Sequence, residues 1–267
     1  MIKIIKLLLA IFVGIILVSI AFNGILNIQK NNPNLILKRI KSQIDDTINS
    51  QFSDNSNWLW SEGRAFVFDI IYMNIVSPGT VNFVLNDGGI FKGESTFKLK
   101  ATVKQSELFK KIYKAGIVIS SIVKKSNGAP LEYNELITTP EEEKTKKISF
   151  FPSKNVAERE GIKFKIPDNT YDPLSVFFNF LSSDFKIGEE IVLSLLSKEE
   201  IYDFKITPIE MENDIYKLVG EVYRQDRSST HGAKFTIWVL GGEVRVPLLV
   251  KVVSAAGPVY LRLKSVK

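Results

Sequence analysis

The chain has 267 residues, 45% of them hydrophobic and 24% charged, and its 35 lysines and arginines against 29 acids give a formal net charge of +6. An apolar fraction this high in a chain this long supports a packed core without crosslinks. The absence of cysteine excludes disulfides, a thiolate nucleophile, a cysteine-ligated metal and a lipidated N-terminal cysteine, and so slight a basic excess is not the gathered cationic face that a nucleic-acid partner requires.

Met1 to Lys6 carries Lys3 and Lys6 and precedes the uncharged run Leu7 to Gln29, apolar almost without interruption through Phe22. Such a run reads either as a signal peptide, with Ser19-Ile20-Ala21 supplying small residues for cleavage after Ala21, or as an uncleaved N-terminal membrane helix. Both place the rest of the chain in a bacterial cell envelope: anchored in the inner membrane and facing the periplasm, or secreted to the periplasm. Lys3 and Lys6 favour a cytoplasmic N-terminus, although Lys30, Lys38, Arg39 and Lys41 follow on the other side. Residues 1–29 are thus a signal or anchor, and the expected partner of this segment is the membrane.

Residues 30–57 form an amphipathic helix and linker. Ile36, Ile40, Ile44, Ile48 and Phe52 recur at every fourth position with charged residues between them, which writes one apolar stripe on a helix. The stripe suits packing on the following domain or along the membrane surface better than a long coiled coil, because it drifts around the helix.

From Trp58 to Lys267 the pattern is β. Ser95, Phe97, Leu99, Ala101 and Val103 alternate with polar residues; so do Ile162, Phe164 and Ile166, then Tyr202, Phe204 and Ile206. Val246 to Val252 and Val259 to Leu263 repeat the pattern, and period two with charge on the off-beat describes strands with one wet face. Turn signals fall at Ser77-Pro78-Gly79, Asn86-Asp87-Gly88-Gly89, Asn127-Gly128, Asn213-Asp214, Gly241-Gly242 and Gly257-Pro258. Roughly a dozen strands joined this way make a curved antiparallel meander or open barrel, since a sheet that long with one apolar face must curl or pack on another.

One segment breaks the alternation. Asp172 is placed to cap a helix, Pro173 suits the first helical position, and a helix to about Ser183 follows. Leu174, Val176, Phe177, Phe178, Phe180 and Leu181 leave it little wet face, so it belongs inside the curved sheet. Leu174, Phe177, Phe178, Phe180, Leu181 and Trp238 are the candidate lining of an apolar ligand site.

Tyr171-Asp172-Pro173-Leu174-Ser175, Gly188, Trp238-Val239-Leu240, Glu243 to Leu248 and Gly257 to Leu263 resemble the bacterial family known as domain of unknown function 3108. Glu62-Gly63-Arg64 with Phe66, Phe68 and Tyr72, and Ser77 to Val84, extend the resemblance upstream to cover about Ser61 to Lys267. It implies an exported, β-rich envelope protein without an assigned reaction.

Chemistry-bearing patterns are few. His231 is the sole histidine, with no partner spacing for zinc and no Gly-x-Ser-x-Gly to serve; no metal or other cofactor is expected. Arg224, Arg227 and His231 could contact an anion from one loop. Asp69, Glu94, Asp172 and Glu221 are the acids that a carbohydrate-cleaving pair would draw on, Asp69 because it interrupts an apolar strand, though an outward or lysine-paired position explains it too. The expected function is non-enzymatic: an envelope protein holding an acyl chain or similar hydrophobic ligand inside the sheet. A membrane-tethered adaptor for an envelope protein partner is the alternative, and a carbohydrate-active enzyme the third.

Overall fold

The computed structural model describes residues 37, 40–42, 63–72, 76–112, 115–197, 199–225, 233–241, 245–254 and 257–266. The signal or anchor expected at residues 1–29 and most of the amphipathic helix lie outside them. No helix among the described residues is long and apolar enough to cross a membrane.

Fifteen strands run β1 (Ala65–Tyr72), β2 (Val76–Phe91), β3 (Glu94–Gln105), β4 (Gly116–Lys124), β5 (Pro130–Thr138), β6 (Glu143–Phe151), β7 (Val156–Arg159) and β8 (Ile162–Lys165), then β9 (Thr170–Tyr171), β10 (Ile191–Ser197), β11 (Glu200–Glu212), β12 (Ile215–Arg224), β13 (Ala233–Leu240), β14 (Val246–Ser254) and β15 (Gly257–Val266). Among the described residues, two α-helices, α1 (Glu107–Ile112) and α2 (Pro173–Ser182), and one turn of 3-10 helix (Pro152–Lys154) interrupt them. All strands belong to one sheet, in the spatial order β8 to β1 and then β15 to β9. Every pairing is antiparallel except β9 with β10, which is parallel. The sheet is therefore two meanders joined by the first and last strands, β1 and β15, from Phe66 opposite Val266 to Tyr72 opposite Val259.

Connectivity forces this sheet to curl. Laid flat, the strands from β8 to β9 would span roughly 67 Å at about 4.8 Å per step. Yet β8 and β9, the two free edges, are joined only by residues 166–169, a link that reaches at most about 18 Å. The edges are thus drawn together without pairing, and the sheet is an open barrel with one seam. β8 blunts its edge by being short and carrying Lys163 and Lys165; Ile162, expected on the apolar beat, is exposed there.

Alternation sorts the two faces. On β1, Phe66, Phe68, Ile70 and Tyr72 are buried and the residues between them are not. Asp69 faces outward and pairs with Arg262 at 3.2 Å and Lys264 at 3.4 Å. The buried apolar side chains, those of α2 among them, form one cluster.

Two expected turns fall inside β2 instead. Ser77-Pro78-Gly79 is strand, with Pro78 placed so that its carbonyl accepts from Ser106 N–H; a Cβ on Gly79 would lie 2.2 Å from the Lys104 carbonyl oxygen, so glycine is kept for close approach. Asp87-Gly88-Gly89 is a bulge, with Gly89 at φ +64° and its N–H bonded to the Asp87 carboxylate at 3.1 Å. The reversal comes later, at Lys92-Gly93. Asn213-Asp214 is a true hairpin tip, both residues at positive φ as such turns demand.

The described part of the amphipathic segment is helical at Leu37 and at Ile40 to Ser42. Leu37 and Ile40 are buried, so Leu37 joins Ile40 on the packed side although the four-residue stripe omitted it. Lys41 Nζ donates to the Asn213 carbonyl at 2.9 Å, which fixes the turn beside the β11–β12 tip.

Candidate functional site

α2 starts where the sequence indicates. Asp172 Oδ1 accepts from Leu174 N–H at 2.8 Å and Ser175 N–H at 2.9 Å, and Asp172 N–H donates to Ser175 Oγ at 3.0 Å, completing a capping box. The carboxylate is fully buried, and Ser121 Oγ on β4 donates to its second oxygen at 2.5 Å. Burial pushes the Asp172 carboxyl up, against the opposing pull of those hydrogen bonds. The cap therefore also ties the helix start to the inner wall.

From there α2 runs to the end of the barrel that carries the β2–β3, β4–β5, β11–β12 and β13–β14 turns, hereafter the helix end. Asn179 Nδ2 donates to the Gly128 carbonyl at 3.1 Å. At the helix C-terminus, Arg245 Nη1 donates to the carbonyls of Leu181, at 3.2 Å, and Ser183. Its guanidinium lies 4.4 Å from the Phe185 ring centre. A cation there complements the helix dipole and the unpaired carbonyls of the last turn.

Rings connect α2 to both meanders. Phe68 contacts Phe83 edge-on at 5.6 Å, Phe83 stacks on Phe177 at 5.8 Å, and Phe177 meets Phe180 at 5.4 Å. Phe180 then touches Phe204 at 5.8 Å, which stacks on Phe235 at 5.1 Å. Leu174, Phe177, Phe178, Phe180 and Leu181 are all gathered and buried in this interior. Trp238 belongs to the same buried cluster but sits on the other beat of its strand. On β13 it points opposite to Phe235 and Ile237, in the same outer row as its register partner Lys217, whose ammonium bonds Glu210. Its 7% exposure comes from burial on the outer side, together with its register partner Leu249.

At the opposite, far end of the interior, Val103, Ile137 and Val252 face inward by register with Ile117 and Phe235 and are only half-buried. Polar groups join them on the inner wall. Tyr133 donates to Glu135 at 3.2 Å, with Lys146 Nζ 5.7 Å from its ring centre, and burial pushes the phenol pKa well above its ordinary value. Across the barrel Tyr202 donates to Glu200 at 2.5 Å, and Arg224 bonds the same carboxylate at 2.6 Å. Ser121, Tyr133 and Glu135 were legible only as polar residues on the inward beat of β4 and β5. Arg245 was part of the family-like segment and had no role attached.

Of the anion-contacting candidates, Arg224 is paired with Glu200, and Arg227 and His231 lie outside the described residues. The candidate acids are not brought together: Asp69 is on the outer face, Glu94 pairs with Lys124 at 2.6 Å at the helix end, and Glu221 stands beside Lys234 on the outer face of β12. Asp172 is committed to its cap.

Fold and interior together define an open, β-barrel-like shell wound around a buried aromatic helix. The chain belongs to the family described as "Protein of unknown function (DUF3108)", which matches residues 67–264. No curated protein matches it. Among solved structures, it is similar to a β-barrel-like protein of domain of unknown function DUF1849 from Brucella abortus, with 6% identity and a TM-score of 0.48 over 77% of this chain and 97% of that one. It is also similar to the hypothetical protein CT021 from Chlamydia trachomatis, with 9% identity and a TM-score of 0.37 over 80% of this chain and 91% of that one.

Proposed function

We propose that this is a non-enzymatic protein of the bacterial cell envelope, delivered or anchored there by residues 1–29, whose barrel shelters an acyl chain or similar hydrophobic ligand entering at the far end. The observation that carries this reading is a set of inward-facing apolar side chains at the far end, Val103, Ile137 and Val252, that stay partly open to solvent beyond the ring cluster of α2. Apolar side chains directed inward but left half-wet are stabilised by an apolar occupant, at about 25 cal/mol per Å² covered. Lys146 on one meander and Arg224 on the other, both inward by register, suit the polar head of such a ligand.

The test is native mass spectrometry of the purified chain, with binding of a fluorescent fatty acid. A co-purifying lipid, and fatty-acid binding that Ile137→Trp abolishes without lowering the melting temperature, are expected. Absence of both lipid and fatty-acid binding would sink the proposal, and a stoichiometric protein captured by crosslinking in cells would replace it with the adaptor role.

A further inference from the structure

We infer that the barrel stands on the membrane with its helix end against the bilayer, and that two apolar protrusions on that rim dip into the lipid surface. The inference rests on the reading of residues 1–29 as an uncleaved anchor and adds to it an orientation and a lipid-contacting surface.

Attachment sets the orientation. Lys41 is bonded to Asn213 at the tip of β11–β12, so the chain leaving residue 29 arrives at the helix end. Seven residues separate Gln29 from Leu37, and fully extended this link covers at most about 29 Å. Strands β1, β4 to β6 and β12 to β15 have 8–10 residues, about 26–33 Å along the strand. A tether fixed to one rim holds that rim nearer the bilayer than the far end.

The rim is built for such contact. On one side Ile187, Ile209 and Met211 are 53%, 45% and 52% exposed; the Gly188 N–H to Pro208 carbonyl bond brings Ile187 beside Ile209. On the other side Ile90 is 74% exposed next to the β2–β3 reversal. Beside it Lys92 lies over the rings of Phe91 and Phe151 at 5.3 and 4.7 Å. Apolar side chains flanked by lysine and aromatic groups match the boundary between headgroups and acyl chains, where apolar parts sink about 5–10 Å and lysines reach back to phosphate.

The chain has no cysteine, so single cysteines introduced at Ile187, Met211, Leu108 and Val253 give unambiguous probe positions. All four sites are exposed, the last two at the far end. The full chain is reconstituted into vesicles of phosphatidylcholine and phosphatidylglycerol, labelled with an environment-sensitive fluorophore and exposed to lipids carrying a nitroxide quencher on the acyl chain. Several-fold stronger quenching at positions 187 and 211 than at 108 and 253 is expected. Equal or reversed quenching in chains that float with the vesicles overturns the orientation alone, as does dipolar coupling between nitroxide-labelled copies at 187, which would assign the patch to a second copy. A chain that does not float overturns the anchor reading and the orientation with it.

Discussion

Asp172 holds more than a helix start. Its carboxylate takes three hydrogen bonds while fully buried, so Asp172→Ala strips a cap and leaves Ser121 and two backbone N–H groups without acceptors. An exposed cap is worth about 1 kcal/mol and each buried unsatisfied donor about 1–3 kcal/mol, so a loss of about 2–3 kcal/mol is expected after relaxation. Chemical denaturation measures it, and a loss of a few tenths would mean that the cap does not anchor α2. The same residue sets a pH dependence. Because burial raises its pKa, the folded chain binds this proton more tightly than the unfolded chain. Its favourable contribution is complete below the unfolded pKa of about 3.9 and is lost as pH rises through the raised folded value. Asp172→Asn keeps a capping oxygen and removes the titration. Wild type should therefore lose stability relative to the Asn variant as pH rises through that window. A pH-independent difference in melting temperature would refute the raised pKa.

At the scale of the element, α2 is the hinge of the whole interior. Phe180 is fully buried and touches Phe177, Phe185 and Phe204, so Phe180→Ala should cost about 3–5 kcal/mol by lost transfer energy and a residual cavity. A much smaller cost would show that the ring lines a space the chain leaves open. That α2 would be capped by Asp172 and enclosed by strands was readable from Asp-Pro and from the lack of a wet face, because both signals are local. β3 and β11 were readable for the same reason, as their off-beat positions carry charge or polar groups. Gly88-Gly89 misled because paired glycines serve a bulge as well as a reversal, and only the ladder that continues beyond them, from Gly89 opposite Thr96 to Phe91 opposite Glu94, distinguishes the two. Trp238 misled because a buried aromatic says nothing about which side of a strand is covered. Gly220 shows what pattern reading leaves out: a Cβ there would sit 2.2 Å from the Phe235 ring and 2.6 Å from the Lys205 carbonyl oxygen. Gly220→Ala should accordingly cost about 1–3 kcal/mol by overpacking, read from the denaturation midpoint.

At the scale of the molecule, the least legible feature is the one that holds the barrel together. β1 and β15 pair across nearly the whole described chain, Phe66 opposite Val266, and nothing local in either strand names the other. Each meander forms from neighbouring hairpins, but joining them requires closing a loop of nearly the entire sequence, whose entropy must be offset by a full-length ladder and by α2 touching both sides. The two kinds of edge should therefore respond very differently to change. Ile162→Lys on the free edge β8 adds charge to a short, exposed strand and should leave the melting temperature unchanged. Ending the chain at Ser254 removes β15 and leaves β1 and β14 with unpaired backbone groups beside the apolar side chains Phe66, Phe68, Ile70, Leu248 and Val250. Such exposed edges recruit other chains, so the truncated chain should lose its single cooperative melting transition and associate in size-exclusion chromatography. A monomeric truncation melting near the full chain would show that α2, and not the β1–β15 ladder, is what joins the two halves.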